Sequence, residues 1–185
     1  PAIWINPADA TKSIIIGTDK DTDGGLYAFD LNGKIIAKSE VLKRPNNVDI
    51  AYGLVIDGKK VDVAVTTERE NNRIRVFSLP DLKPIDNGGI AVFDGELERD
   101  PMGIALYTRA NDNAIFAIVG RKSGPSETYL WQYQLTDAGN GKAGANVVRK
   151  FGKYSGKKEI EAIAVDNELG VLYYCDEQFG IRKYK

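Results

Sequence analysis

The chain of 185 residues has no histidine, one cysteine and one methionine. Without an imidazole there is no Ser-His triad, no histidine nucleophile and no His-ligated zinc, because each needs that ring as base, nucleophile or ligand. A single cysteine, Cys175, excludes an internal disulfide and leaves the redox compartment open. Charge is also scarce in net terms: 25 basic against 26 acidic residues leave −1. That balance argues against bulk nucleic-acid binding and against a polybasic membrane surface. No apolar run reaches about 18 residues, so nothing in the sequence reads as a bilayer-spanning helix. Helix signals of any kind are nearly absent, since no stripe at i, i+3, i+4 persists over three turns.

There is no initiator Met and no basic-then-apolar leader; the chain starts on the strand-like Pro1-Ala-Ile-Trp-Ile. The expectation is a chain processed or cut from something longer, with residues 1–185 as one domain truncated at both ends. Its length is enough for one substantial core. Cys175 followed by Arg182 has the residue types of a cysteine-phosphatase loop, but six residues separate them instead of five and no glycine-rich cradle lies between. Cys175 therefore reads as a small buried strand residue.

What the sequence does contain is a fourfold repeat. Short runs around an isoleucine begin each unit: Pro1-Ala-Ile3-Trp4, Val48-Asp-Ile50-Ala51, Met102-Gly-Ile104-Ala105 and Glu161-Ala-Ile163-Ala164. These isoleucines are 47, 54 and 59 residues apart. A second apolar run follows in each unit, Ile14–Thr18, Val61–Val65, Ala114–Val119 and Val171–Cys175, and a third run ends on an aromatic. Candidate fourth strands are 34–38, 89–93 and 146–150, with none in the last unit. A period of about 40 to 55 residues with about four short strands per unit predicts an all-β fold, a β-propeller with four antiparallel blades present. An arc of four, cut from a larger ring of perhaps six, leaves apolar flanks and predicts self-association through open edges.

The last unit is carboxylate-rich. Residues 160–165 and 171–175 read as a hairpin across Asp166-Asn167-Glu168-Leu169-Gly170, which would bring Glu161 beside Asp176-Glu177 at its open end. Clustered carboxylates need a cation, a basic partner or water. In every unit a charged cluster follows the second run: Asp19-Lys20-Asp21, Glu68-Arg69-Glu70, Arg121-Lys122 and Asp176-Glu177. Pseudo-symmetry puts Lys20, Arg69, Lys122 and Glu177 on one face. Cations there suit a polyanion, and carboxylates suit a hard metal; a rim of weak salt bridges is the plain alternative. Asp19-Lys-Asp21-Thr-Asp23-Gly24, with Asp30 at the twelfth position, also has the spacing of a calcium loop, although strands flank it; an acidic hairpin loop is the other reading.

Pro1-Ala-Ile-Trp, Asn46-Asn-Val-Asp-Ile50, the Lys20, Arg69 and Lys122 cations and Ile160-Glu-Ala-Ile163 together resemble the β-propeller phytases, in order and from end to end of the chain. The resemblance implies a six-bladed ring, Ca²⁺ as cofactor, and hydrolysis of phosphate monoesters from phytate (myo-inositol hexakisphosphate) or its calcium salt. It implies export to the medium or periplasm. By position, Lys20, Arg69 and Lys122, with Arg121 beside them, would bind phosphate oxygens. Glu161 and Glu177 would ligate the calcium that bridges to the scissile phosphate. The carbonyls of Pro1 and Val48 would hold a structural calcium. Calcium-bound water is the nucleophile the family implies, which requires neither histidine nor cysteine. The family's Asp-Asp ahead of Pro-Ala-Ile-Trp has no counterpart here, nor do its last two blades, and Met102 stands where some relatives carry a phosphate-contacting Tyr. A non-catalytic binding propeller that kept the scaffold is therefore the alternative, and a sugar-lactonase-type propeller a weaker third.

Overall fold

In β2 (Ile14–Asp19) Ile14 and Ile16 turn inward while Ile15 turns outward, the period of two that a strand imposes on its side chains. The same logic runs through the computed structural model, which describes residues 1–185: sixteen strands, and one 3-10 turn at Ala10–Lys12. The strands form four antiparallel sheets in chain order, successive blades of a β-propeller.

Blade 1 is β1 (Ala2–Trp4), β2, β3 (Gly25–Phe29) and β4 (Ile35–Lys38). Blade 2 is β5 (Pro45–Ile56), β6 (Lys59–Glu68), β7 (Arg73–Ser78) and β8 (Lys83–Pro84), with β9 (Ile90–Ala91) also pairing β7. Blade 3 is β10 (Pro101–Thr108), β11 (Ile115–Arg121), β12 (Leu130–Gly139) and β13 (Lys142–Phe151). Blade 4 has three strands, β14 (Ile163–Asp166), β15 (Val171–Asp176) and β16 (Gly180–Tyr184).

Local chemistry fixes the register. The β5–β6 turn is Asp57-Gly58 and the β12–β13 turn is Asn140-Gly141, all four residues at positive φ, as a two-residue hairpin with right-handed twist demands. Each blade packs against the next through apolar side chains. Eighteen buried residues fill the space around blades 2 and 3, among them Val63, Val65, Ile104, Val119 and Trp131. Ten fill the seam of blades 1 and 2, and seven that of blades 3 and 4. Full burial of one such aliphatic or aromatic side chain is worth about 1.5–3 kcal/mol, so these seams are the main cohesive force. β11 is buried at all seven positions because blades flank both its faces, which is why its sequence does not alternate.

Polar bonds stitch the same neighbours. Trp4 Nε1 donates to Asp62 Oδ2 at 2.8 Å, joining blades 1 and 2. The Leu106 amide donates to Asp49 Oδ2 at 2.7 Å, joining blades 2 and 3, and the Thr108 amide to Asn167 Oδ1 at 2.8 Å, joining blades 3 and 4. Burial pushes the Asp49 carboxyl up, and the Leu106 and Ile50 amides only partly offset this.

Three sequence expectations change in detail. The outer edge of blade 2 is split into the short β8 and β9 because Asp86 turns the chain inward to Arg75, bonding its Nε at 2.7 Å. The first strand of blade 4 begins at Ile163, and of residues 160–162 only the Ala162 carbonyl is joined to β15, by the Cys175 amide at 3.0 Å. Cys175 is exposed, not buried, since its side of β15 belongs to the uncovered face of blade 4.

Candidate functional site

The four rim positions are structurally equivalent. Lys20, Arg69, Lys122 and Glu177 each directly follow the last residue of the second strand of their blade. The residue just before each behaves differently. Glu68, Arg121 and Asp176 are buried, at 0%, 0% and 1% exposure, and each fastens the loop beneath the rim. Glu68 accepts from the Lys43 amide (2.8 Å), Asn71 Nδ2 (2.9 Å) and Arg73. Asp176 accepts from Arg182 Nε (2.7 Å) and from the Ser155 hydroxyl (2.6 Å). Arg121 donates to Glu96 Oε2 (3.1 Å) and to the Glu98 and Thr128 carbonyls, and lies over the Phe93 ring.

This separates the charged clusters into a buried layer and an exposed layer. Arg121, grouped by sequence with the phosphate-binding cations, belongs to the buried one: its guanidinium is committed to Glu96 and two carbonyls and has no free face. The Asp176 side chain is likewise not free at the hairpin's open end, because Arg182 and Ser155 hold it inside. The bond to Arg182 also removes the partner that a Cys175 nucleophile would need. Lys20, Lys122 and Glu177 are exposed and Arg69 is half-buried. The Arg69 amide donates to the Arg44 carbonyl (3.1 Å) and the Lys122 amide to that of Asp100 (2.9 Å), so backbone bonds anchor both cations.

Glu161 reaches across to the other blades. Lys20 Nζ is 3.4 Å from its Oε1, Asn46 Nδ2 donates to the same oxygen at 3.5 Å, and Asn47 Nδ2 donates to its carbonyl at 3.2 Å. Blade 4 thereby touches blades 1 and 2 at the rim. Two residues earlier, Glu159 lies in the field of the cations. Its own backbone amide and, despite slight desolvation, the charges of Lys158, Lys122 and Arg69 hold its carboxyl below the usual glutamate range. Ile160 between them is fully buried.

The acidic loop of blade 1 is a tight turn. The Asp21 amide donates to Asp19 Oδ1 at 3.3 Å and the Gly24 amide to the Asp21 carbonyl at 3.0 Å. A Cβ on Gly24 would sit 2.0 Å from the Asp19 carbonyl, so only glycine closes this turn. Asp23 pairs with Lys43. Asp30 stands at the other end of β3, a five-residue strand of roughly 16 Å, and caps the β3–β4 turn through the Asn32 and Lys34 amides, both at 2.9 Å. The twelve-residue calcium-loop reading is overturned by that separation; the loop is an acidic hairpin.

Of the two positions expected to hold a structural calcium by their carbonyls, Pro1 is exposed and Val48 is buried, paired with Thr66 in the β5–β6 ladder. Met102 is buried at 1% exposure. Side-chain carboxylates alone do not make a calcium shell here. No three acidic, histidine or cysteine side chains converge, whereas calcium takes about six to eight oxygens. What the rim can do by itself is grip an anion: three cations from three blades face it, and ammonium or guanidinium donors to phosphate oxygens form strong charge-assisted bonds.

Sequence reasoning missed Asn46 and Asn47 as contacts of Glu161, and Lys158 and Glu159 as members of the rim. The Asn pair lies at the start of β5, the inner strand of blade 2, a position whose meaning depends on which blade lies opposite. Threonine carried a usable signal: Thr18 and Thr67 precede the charged pairs at equivalent positions, and donate to the Asn46 (3.0 Å) and Met102 (2.7 Å) carbonyls of the next inner strand.

A family model described as Phytase matches residues 1–185. The chain is 32% identical over 190 aligned residues to the 3-phytase of Bacillus subtilis (strain 168), an alignment covering all of this chain and 47% of that relative. The chain thus spans about half the length of the curated relative it matches.

Proposed function

The chain belongs to the Phytase family, and from that premise we propose that it supplies the phosphate-gripping rim of an enzyme that hydrolyses phosphate monoesters of phytate. The observation that carries this reading is the recurrence of Lys20, Arg69 and Lys122 immediately after the second strand of three successive blades. A hexakisphosphate presents several dianions at fixed spacing around a ring. A rim with one cation per blade matches such a ligand better than it matches a single phosphate.

In this reading Lys20, Arg69 and Lys122 bind non-bridging phosphate oxygens and orient the ester, and the negative charge developing in the transition state strengthens those bonds. Lys20 Nζ stands 3.4 Å from Glu161 Oε1, a contact across the arc. Calcium dependence is proposed as well, with Glu161 and Glu177 as two carboxylate ligands. They would need about four further oxygens, so no step is derived through the metal. Export to the medium or periplasm follows from the family resemblance alone.

The test is phosphate release from phytate by the purified chain in millimolar Ca²⁺ and in EGTA, alongside calorimetric binding of phytate. Lys20→Ala and Arg69→Ala should each weaken binding about five- to tenfold, the loss of one exposed charge-assisted bond. Unchanged affinity in both variants would remove the rim from the site.

A further inference from the structure

The geometry points to Asn46 and Asn47 as the positioning pair that sets Glu161, and through it the Lys20 contact, across the arc of blades. Glu161 lies outside β14, so no ladder hydrogen bond fixes it. The Asn pair takes that place. Asn47 Nδ2 donates to the Glu161 carbonyl at 3.2 Å, and Asn46 Nδ2 reaches Asn47 Oδ1 at 2.8 Å and Glu161 Oε1 at 3.5 Å.

The pair is itself held from three sides. Thr18 Oγ1 of blade 1 donates to the Asn46 carbonyl at 3.0 Å, and Thr66 Oγ1 of blade 2 to the Asn47 carbonyl at 2.8 Å. The Asn47 amide donates to Thr67 Oγ1 at 3.3 Å, and that hydroxyl donates onward to the Met102 carbonyl of blade 3 at 2.7 Å. Opposite Asn47, the Glu161 carbonyl rests against Gly103, where a Cβ would stand only 2.3 Å away. The carbonyl is therefore gripped between an amide donor of blade 2 and a bare backbone of blade 3. Neither asparagine needs to touch a ligand; they act through Glu161.

This inference rests on the proposed phosphate rim for its binding readout, and on a local readout that does not. Asn47→Ala, Asn47→Leu (which keeps the bulk without the donor) and Gly103→Ala should each raise amide hydrogen exchange of residues 159–162 while leaving β11 protected. Each should also weaken phytate binding about fivefold, and change it less than about twofold when Glu161→Ala is already present. A residue that only stabilises the fold would weaken binding equally in both backgrounds, and that result overturns the positioning role. Unchanged exchange at 159–162 overturns the clamp itself. If the unaltered chain binds no phytate, the phosphate reading fails and the exchange result alone decides the clamp.

Discussion

Glu68→Gln is the most informative single change beneath the rim. The Glu68 side chain is 1% exposed and receives only donors: the Lys43 amide at 2.8 Å, Asn71 Nδ2 at 2.9 Å, and Arg73 through Nε and, at 3.1 Å, NH2. A glutamine there must turn its own NH2 toward one of those donors, and Arg73 loses its counter-ion. Removing one partner of a buried ion pair costs about 3–5 kcal/mol. Arg73 is 31% exposed and can turn to water, which lowers the expectation to about 2–3 kcal/mol. That is a large share of the ~5–15 kcal/mol typical of a domain, and at a urea slope of ~2 kcal/mol/M it moves the midpoint by roughly 1 M or more.

The same substitution has a signature in pH. Burial pushes the Glu68 carboxyl up, but Arg73, the Lys43 amide and Asn71 outweigh it and leave the group below the ordinary glutamate value. A depressed carboxylate contributes stability above its unfolded pKa and loses it as pH falls through the folded one. The gap between the two proteins should be widest near pH 7 and should close below about pH 4.3. Urea unfolding followed by tryptophan fluorescence at pH 7 and pH 3.5 measures both. A gap under ~0.5 kcal/mol at pH 7, or one of equal size at both pH values, would refute the reasoning.

Trp4→Phe keeps the ring in the seam of blades 1 and 2 but deletes the 2.8 Å bond to Asp62; thermal unfolding should report a loss of about 1.5–2 kcal/mol. If calcium binds as proposed, adding it at a hundred times its Kd should raise stability by about 2.7 kcal/mol over EGTA in a melting experiment, and Glu161→Ala should abolish most of that rise. On the uncovered face of blade 4, Ile181 is 74% exposed beside Ala162, Ile163, Ala164, Tyr173 and Cys175. The chain should therefore self-associate with rising concentration in sedimentation experiments, and Ile181→Asp should suppress it. Monomeric sedimentation of the unaltered chain at all concentrations would dismiss that expectation.

Much of the fold was legible because strand period and turn chemistry are local. The isoleucine-led runs, the Asp57-Gly58 turn and the rim position after each second strand all report on neighbours a few residues apart. The burial of charge was not legible in the same way. Lys20, Arg69 and Lys122 look no different on the page from Glu68, Arg121 and Asp176. Which of two adjacent charges turns inward depends on the alternation of the strand and on a partner such as Glu96, 25 residues from Arg121. The start of β14 was misjudged for a related reason: Ile160 is apolar because it fills the seam with blade 3, not because it belongs to the ladder. Asp30 left two readings open because spacing along the chain does not reveal that a whole strand intervenes.

The bonds between blades join immediate neighbours, with one exception: the hydrogen bonds of Glu161 skip one blade to reach Asn46 and Asn47 and two to reach Lys20. A neighbour-only array behaves as a one-dimensional chain, in which units fray from the ends and can be gained or lost by duplication without redesigning the rest. Glu161 breaks that independence. It makes the first and fourth units mutually dependent at one point, so a duplication or deletion between them would preserve every seam yet still misalign the rim. Selection for what the rim does, not packing, would then set how many units may separate Lys20 from Glu161.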